Sequence, residues 1–130
     1  GSNKGIEKGS AVLHKGALIG RVVDVYDTTS RIMLVTDINS RIPVMIEGQD
    51  EDINAIMAGD NSTTPELDHL ASEVELQSGM RIVTSGRGGM LPPGLLIGQT
   101  LIKEDNSALV AIDQNPDTAF LVQILKYRSE

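Results

Sequence analysis

Gly20-Arg21-Val22-Val23-Asp24-Val25-Tyr26 and Arg31-Ile32-Met33-Leu34-Val35-Thr36 flank the cluster Asp27-Thr28-Thr29-Ser30. Two short runs rich in β-branched residues, separated by turn formers, read as a β-hairpin. The pattern continues outward. Met80–Thr84, Leu95–Ile102, Ser107–Ile112 and Ala119–Lys126 are further strand candidates. Arg41–Ile46 is another, which Pro43 should confine to a sheet edge or a bulge. Short strands at regular spacing with Gly, Asn, Asp and Pro between them indicate small barrels or sandwiches. A helical alternative exists for Glu51–Met57 and for Pro65–Leu76, where Thr64 offers a cap and Pro65 suits a first turn.

The chain repeats itself. Lys8-Gly9-Ser10-Ala11-Val12, Gly16-Ala17-Leu18-Ile19-Gly20 and the strands Ser30–Asn39 and Ile42–Ile46 find counterparts later. These are Ser78-Gly79-Met80-Arg81-Ile82, Gly94-Leu95-Leu96-Ile97-Gly98, Ser107–Asn115 and Ala119–Leu125. The second copy carries an insertion, Ser85–Pro92. The expected fold is therefore all-β, with two small related β-barrels packed side by side, residues 1–60 and 61–130. Gly20 and Gly98 each follow an apolar pair, where glycine permits positive φ or a bulge at a barrel corner.

Composition narrows the function. The 130 residues include no Cys, so disulfides, thiolate metal sites and a cysteine nucleophile are excluded. The formal charge of −7 opposes binding to phosphate backbones, so no nucleic-acid partner is expected. Tyr26, Phe120 and Tyr127 are the only aromatics, too few for a base-stacking platform. No apolar run approaches the roughly 20 residues that span a bilayer. Residues 47–77 hold nine acidic side chains and no Lys or Arg, the composition of a solvated connection. Asp50-Glu51-Asp52 lacks the alternating acids and central Gly of a calcium loop.

Chemistry has few footholds. Ser85-Gly86-Arg87-Gly88-Gly89 is followed by Met-Leu-Pro-Pro, not by the Lys-Ser or Lys-Thr and helix of a phosphate loop. A hydrolase could draw on Ser85 with His14 or His69 and an Asp, a combination that needs triad geometry. No cofactor or metal is expected. The inserted loop offers Arg87, Met90 and Leu91 as candidate partner contacts, with a plug in the second barrel as the alternative for Met90 and Leu91.

Several stretches resemble the extracytoplasmic β domain of the MreC family of rod shape-determining proteins. Gly1–Val12 is similar to its G-S-x-x-G-V-x-x-G-x-x-V. Leu18-Ile19-Gly20-Arg21-Val22 is similar to its G-L-V-G-R-V, with Ala17 in place of the first Gly. Ser30–Val44 resembles S-x-V-x-L-L-T-D-P-N-S-x-V-P-V, and Val83–Gly98 resembles V-T-S-G-x-G-G-x-F-P-x-G-x-x-V-G.

The resemblance implies a single-pass protein of the bacterial inner membrane, with an N-terminal anchor, a periplasmic coiled coil and this β domain. It implies a non-enzymatic scaffold of the cell-wall elongation complex that maintains rod shape. Implied partners are MreB, MreD, RodA, RodZ and a class-B penicillin-binding transpeptidase, with self-association as dimers or filaments. Gly20, Asp37, Asn39, Thr84, Ser85, Gly86, Pro92, Gly94 and Gly98 match motif positions and are expected to shape loops. The family's first barrel usually begins ahead of the position of Gly1, so that barrel is expected to be incomplete here. The rival readings are a protease-like hydrolase and a periplasmic adaptor of a secretion or efflux assembly.

Overall fold

The computed structural model describes residues 8–27, 29–48, 50–70, 76–89 and 91–112, and the backbone of 123–125. The described fold is all-β. Ten strands run in chain order: β1 (Ala11–His14), β2 (Ala17–Val25), β3 (Ser30–Leu34), β4 (Arg41–Ile46), β5 (Ile53–Ala58), β6 (Glu66–Asp68), β7 (Arg81–Thr84), β8 (Leu96–Ile102), β9 (Ala108–Ile112) and β10 (Gln123–Leu125). Six of them close a barrel in the order β4, β5, β6, β9, β8, β7 and back to β4. The others form an attached sheet, β10-β1-β2-β3, joined to the barrel by a parallel contact of β2 with β8 at Ala17 and Leu96.

The hairpin read from Gly20 to Thr36 is present as β2 and β3, closed by the Tyr26 N–H donating to the Thr29 carbonyl at 2.8 Å. The helical alternative is not realised among the described residues, and the place expected for Pro43 needs correction. Ile53–Ala58 and Glu66–Asp68 are strands, not helices. In β5 the buried residues Ile53, Ala55 and Met57 alternate with half-buried Asn54 and Ile56, the period of a strand with one face in a core. Pro43, expected at an edge or a bulge, lies in regularly paired β4 between β5 and β7. Its carbonyl accepts the Ser85 N–H, so its missing donor falls on the β7 side, just past the end of that strand.

The repeat is visible in the pairing. Val12 lies opposite Gly20, and Leu13 opposite Leu18, which leaves Ile19 as an extra residue on β2. Ile82 lies opposite Gly98, and Val83 opposite Leu96, which leaves Ile97 extra on β8. Neither Gly20 nor Gly98 has φ in the left-handed region. The bulge is the feature they share, and Gly20 also permits close approach. A Cβ there would sit 2.6 Å from the Met33 carbonyl oxygen. The turn preceding each unit repeats as well. Gly9 (φ +93°) donates to Val22 O at 2.7 Å, and Gly79 (φ +90°) donates to Thr100 O at 2.9 Å.

The last strand of each unit crosses over. β4, from the first unit, pairs with β7 through Ile46 and Ile82. β10, from the second, pairs with β1 through Ile124 and Val12. Because Ile82 corresponds to Val12, the two units exchange equivalent strands.

Two cores follow. Ala11, Leu13 and Leu18 point into the main core with Val44, Ile46, Met57, Ile82, Leu91, Ile97 and Val110. Val12, Ile19 and Val22 face the other way and form a smaller core with Val25. Strand alternation thus sends the two faces of β1 and β2 to different clusters.

Candidate functional site

The inserted loop after β7 is held by one hydroxyl. Thr84, 1% exposed, donates from Oγ1 to the Pro92 carbonyl at 2.6 Å and accepts the Leu95 N–H at 2.9 Å. Its own carbonyl accepts the Gly94 N–H at 2.8 Å. Within the loop, Gly86, Gly88, Gly89 and Gly94 all have positive φ, and Arg87–Gly89 make one 3-10 turn. A Cβ on Gly86 would meet Pro93 at 2.9 Å. The Ser85 hydroxyl accepts the Arg87 N–H at 3.2 Å, a turn-forming bond. Leu91 does not project: it is 6% exposed and belongs to the main core. Arg87 is exposed, and Met90 lies outside the described residues.

Asp37 and Asn39 shape a second loop. The Asp37 carboxylate accepts the Asn39 N–H at 2.8 Å, and the Asp37 carbonyl accepts the Ser40 N–H at 2.8 Å. Residues not singled out from the sequence clamp this turn. Asn61 (φ +66°) accepts the Ile38 N–H on its side chain and donates its own N–H to Thr36 O at 2.7 Å. Gly59 lies so close that a Cβ would stand 1.9 Å from the Asp37 carbonyl oxygen. Gly59-Asp60-Asn61 in a loop of turn formers is the available signal, but only the fold brings it against Asp37. Thr100 was also missed. It is 2% exposed and does for the turn before β7 what Thr84 does for the inserted loop, accepting the Met80 N–H and donating to Gln77 O.

The two loops meet at the start of β4. Arg41 donates from Nη1 to Ile38 O and Ser40 O, both at 2.9 Å, while Pro43 O takes the Ser85 N–H. Arg21, Arg41 and Arg87 line one cleft there, with Ile42, Pro43, Thr84, Gly86 and Leu91. Arg31 is paired with Asp24 at 3.0 Å and Arg81 with Glu47 at 3.5 Å. The three cleft arginines have no carboxylate partner among the described residues. Gly20 and Gly98 stand apart from this cleft, in the bulges of β2 and β8.

A second, broader cleft is acidic. Asp60, Glu66, Asp68 and Asp105 line it, with Lys103 the single basic residue. Hydrogen bonds from the hydroxyl and N–H of Ser62 hold the Asp60 carboxyl below the ordinary aspartate range. Ser107 does the same for Asp105. Both carboxylates therefore stay ionised to lower pH than ordinary aspartates do.

A family profile described as "Rod shape-determining protein MreC, barrel core" matches residues 1–121. The cell shape-determining protein MreC of Caulobacter vibrioides is 40% identical over 128 residues, covering 98% of this chain but only 36% of that protein. A solved MreC structure from Listeria monocytogenes superposes with a TM-score of 0.86 at 26% identity, over all of this chain and 66% of the other. A Helicobacter pylori structure, titled as a complex of a penicillin-binding protein (PBP2) with MreC, has a TM-score of 0.62 at 18% identity. It covers 88% of this chain and 74% of that one, and shares the fold.

Proposed function

Because the chain belongs to the MreC family of rod shape-determining proteins, we propose that it is the periplasmic scaffold domain of an inner-membrane protein that maintains cell shape. In this role it holds the cell-wall elongation machinery together through contacts and carries out no reaction. One observation carries the reading beyond family membership. The polar side chains of the family motif bind the backbone: Thr84 holds Pro92 and Leu95, Ser85 holds Arg87, and Asp37 holds Asn39. A hydroxyl engaged in a turn in this way favours a scaffold over the hydrolase built on Ser85.

The partner with the most support is a penicillin-binding protein, since the Helicobacter pylori structure of this fold is a complex of penicillin-binding protein PBP2 with MreC; that it is a class-B transpeptidase follows from family membership. MreB, MreD, RodA and RodZ follow from family membership, as does self-association. The motif residues Gly20, Asp37, Asn39, Thr84, Ser85, Gly86, Pro92, Gly94 and Gly98 shape loops and strand corners, and Arg87 is the exposed loop residue that touches a partner.

The attached sheet is, on this reading, the heart of a second small barrel beside the closed one. Its strands β10, β1, β2 and β3 correspond to β4, β7, β8 and β9, and its inner face already holds Val12, Ile19 and Val22. β4 lies in the closed barrel although by sequence it belongs to the first unit of the repeat. The test is co-purification from an envelope extract with the tagged domain as bait, alongside ester and peptide hydrolysis assays. Recovery of a penicillin-binding transpeptidase with background hydrolysis is expected. Recovery of an export pump, or turnover abolished by Ser85→Ala, overturns the proposal.

A further inference from the structure

The arginine cleft and the acidic cleft are neighbours on the closed barrel. Arg41 lies opposite Ala58 in the register of β4 with β5, and Ala58 lies opposite Glu66 in that of β5 with β6. Ile42, Met57 and Leu67, adjacent to them in their strands, belong to the main core, so Arg41, Ala58 and Glu66 share the other face as one row. Strands pair about 4.8 Å apart, which sets the Arg41 and Glu66 backbones about 10 Å from each other. Both of these end residues are exposed. Arg21, Arg41 and Arg87 come from β2, β4 and the inserted loop and meet over buried Ile42 and Leu91.

We propose that the Arg21–Arg41–Arg87 cleft binds the C-terminal carboxylate of a partner peptide whose last side chain is apolar. A basic side chain about three residues upstream, the number that an extended chain needs to cross about 10 Å, then reaches Glu66. Guanidinium groups take a carboxylate in forked geometry. Arg41 is already oriented, since Nη1 donates to Ile38 O and Ser40 O, which leaves the Nε and Nη2 donors for a ligand. The Thr84 hydroxyl fixes both ends of the loop that carries Arg87, so little ordering remains to be done on binding. A chain terminus joins its carboxylate and its last side chain at one carbon, matching an arginine rim over an apolar floor. An acidic side chain brings the carboxylate alone. The neighbouring acids decide against an anionic membrane. A bilayer spreads its charge far beyond the screening length of about 10 Å and would repel Asp60, Glu66 and Asp68, whereas one carboxylate leaves them free to take a cation. The proposal rests on Arg87 as a partner contact and names the chemistry of that partner.

An NMR titration of the whole chain with acetyl-Lys-Gly-Gly-Leu, its C-terminus free, tests it. Shifts of the Arg41, Gly86 and Arg87 amides and of the arginine Nε–H groups are expected. The C-terminal amide of the same peptide should bind about tenfold or more weakly, because it offers the arginines no charged acceptor. Acetyl-Glu-Gly-Gly-Leu should bind more weakly than the Lys peptide, and Glu66→Gln should narrow that difference. Arg21→Gln with Arg87→Gln should bring the acid down to the amide's affinity. Thermal melting verifies that this variant folds, and the exposed Arg87→Gln alone serves if it does not. Equal affinity for acid and amide overturns the proposal, as do shifts confined to residues outside the cleft or equal affinity for the Lys and Glu peptides. So does arginine-dependent binding to phosphatidylglycerol vesicles without binding of the peptide, which would assign the arginines to a membrane surface. Transpeptidase recovery in the co-purification is read separately, so failure here leaves the scaffold proposal standing.

Discussion

The hydroxyl of Thr84 donates to the carbonyl of Pro92 at 2.6 Å, joining the end of a strand to the far side of the loop it feeds. The same oxygen accepts the Leu95 N–H, so one buried atom fixes both the departure and the return of the chain. Thr84→Val keeps the shape and removes both bonds. It should cost about 2–4 kcal/mol, because two buried backbone groups lose their partner. Thr84→Ser should recover most of that. Urea unfolding of the two variants checks the difference, and equal midpoints would show that the hydroxyl does not hold the loop.

Glycines at close approach should be less replaceable than glycines at positive φ. Gly59→Ala drives a Cβ into the Asp37 carbonyl oxygen and should destabilise by about 3 kcal/mol or more. Gly88 has φ +77° with open space around its missing Cβ, so Gly88→Ala should cost only about 1 kcal/mol. Melting temperatures in that order are expected, and the reverse order would mean that the Asp37 turn yields easily.

Leu91 and Arg87 are four positions apart and should behave in opposite ways. Leu91→Ser should lower stability by about 2–4 kcal/mol, since it empties a buried site and fills it with a polar group. Arg87→Ser should stay within about 0.5 kcal/mol of wild type, as exposed substitutions do. Calorimetry distinguishes them, and a silent Leu91→Ser would remove the leucine from the core.

Asp60 and Asp105 should titrate below ordinary aspartates in the folded protein. Their hydrogen bonds stabilise the ionised, folded form, so the contribution is present above the unfolded pKa and is lost as pH falls through the lowered folded one. Both groups are solvent-exposed, so the effect on global stability is small. Carboxyl carbon shifts followed by NMR should show Ser62→Ala returning Asp60 toward the ordinary value while Asp105 is unchanged. An Asp60 midpoint indifferent to Ser62 would contradict the assigned cause.

Local pattern revealed β2 and β3, which flank a cluster of turn formers, and the glycine-marked repeat around Gly20 and Gly98. It failed at β5, where Ala55, Met57 and Ala58 have no strand preference of their own and only partners on both sides decide the conformation. It misjudged Pro43 because whether a missing donor matters depends on where the neighbouring strand stops. Arg87 stood out as the charge in a glycine loop. Arg21 and Arg41 did not, since nothing local to β2 or β4 announces that the three converge. Turn chemistry is written in adjacent residues, whereas a cleft is assembled from distant ones.

The exchange of β4 and β10 bears on how the chain matures during synthesis. β1 waits for a partner that leaves the ribosome more than a hundred residues later, and β4 cannot settle until β7 has been made. Neither half can therefore finish before the other has begun, and pairing across such separations is slow. Nascent chains should pass through a period with unsatisfied strand edges, when chaperone protection matters most. The completed domain gains in return a closure in which neither unit can peel away without opening the other.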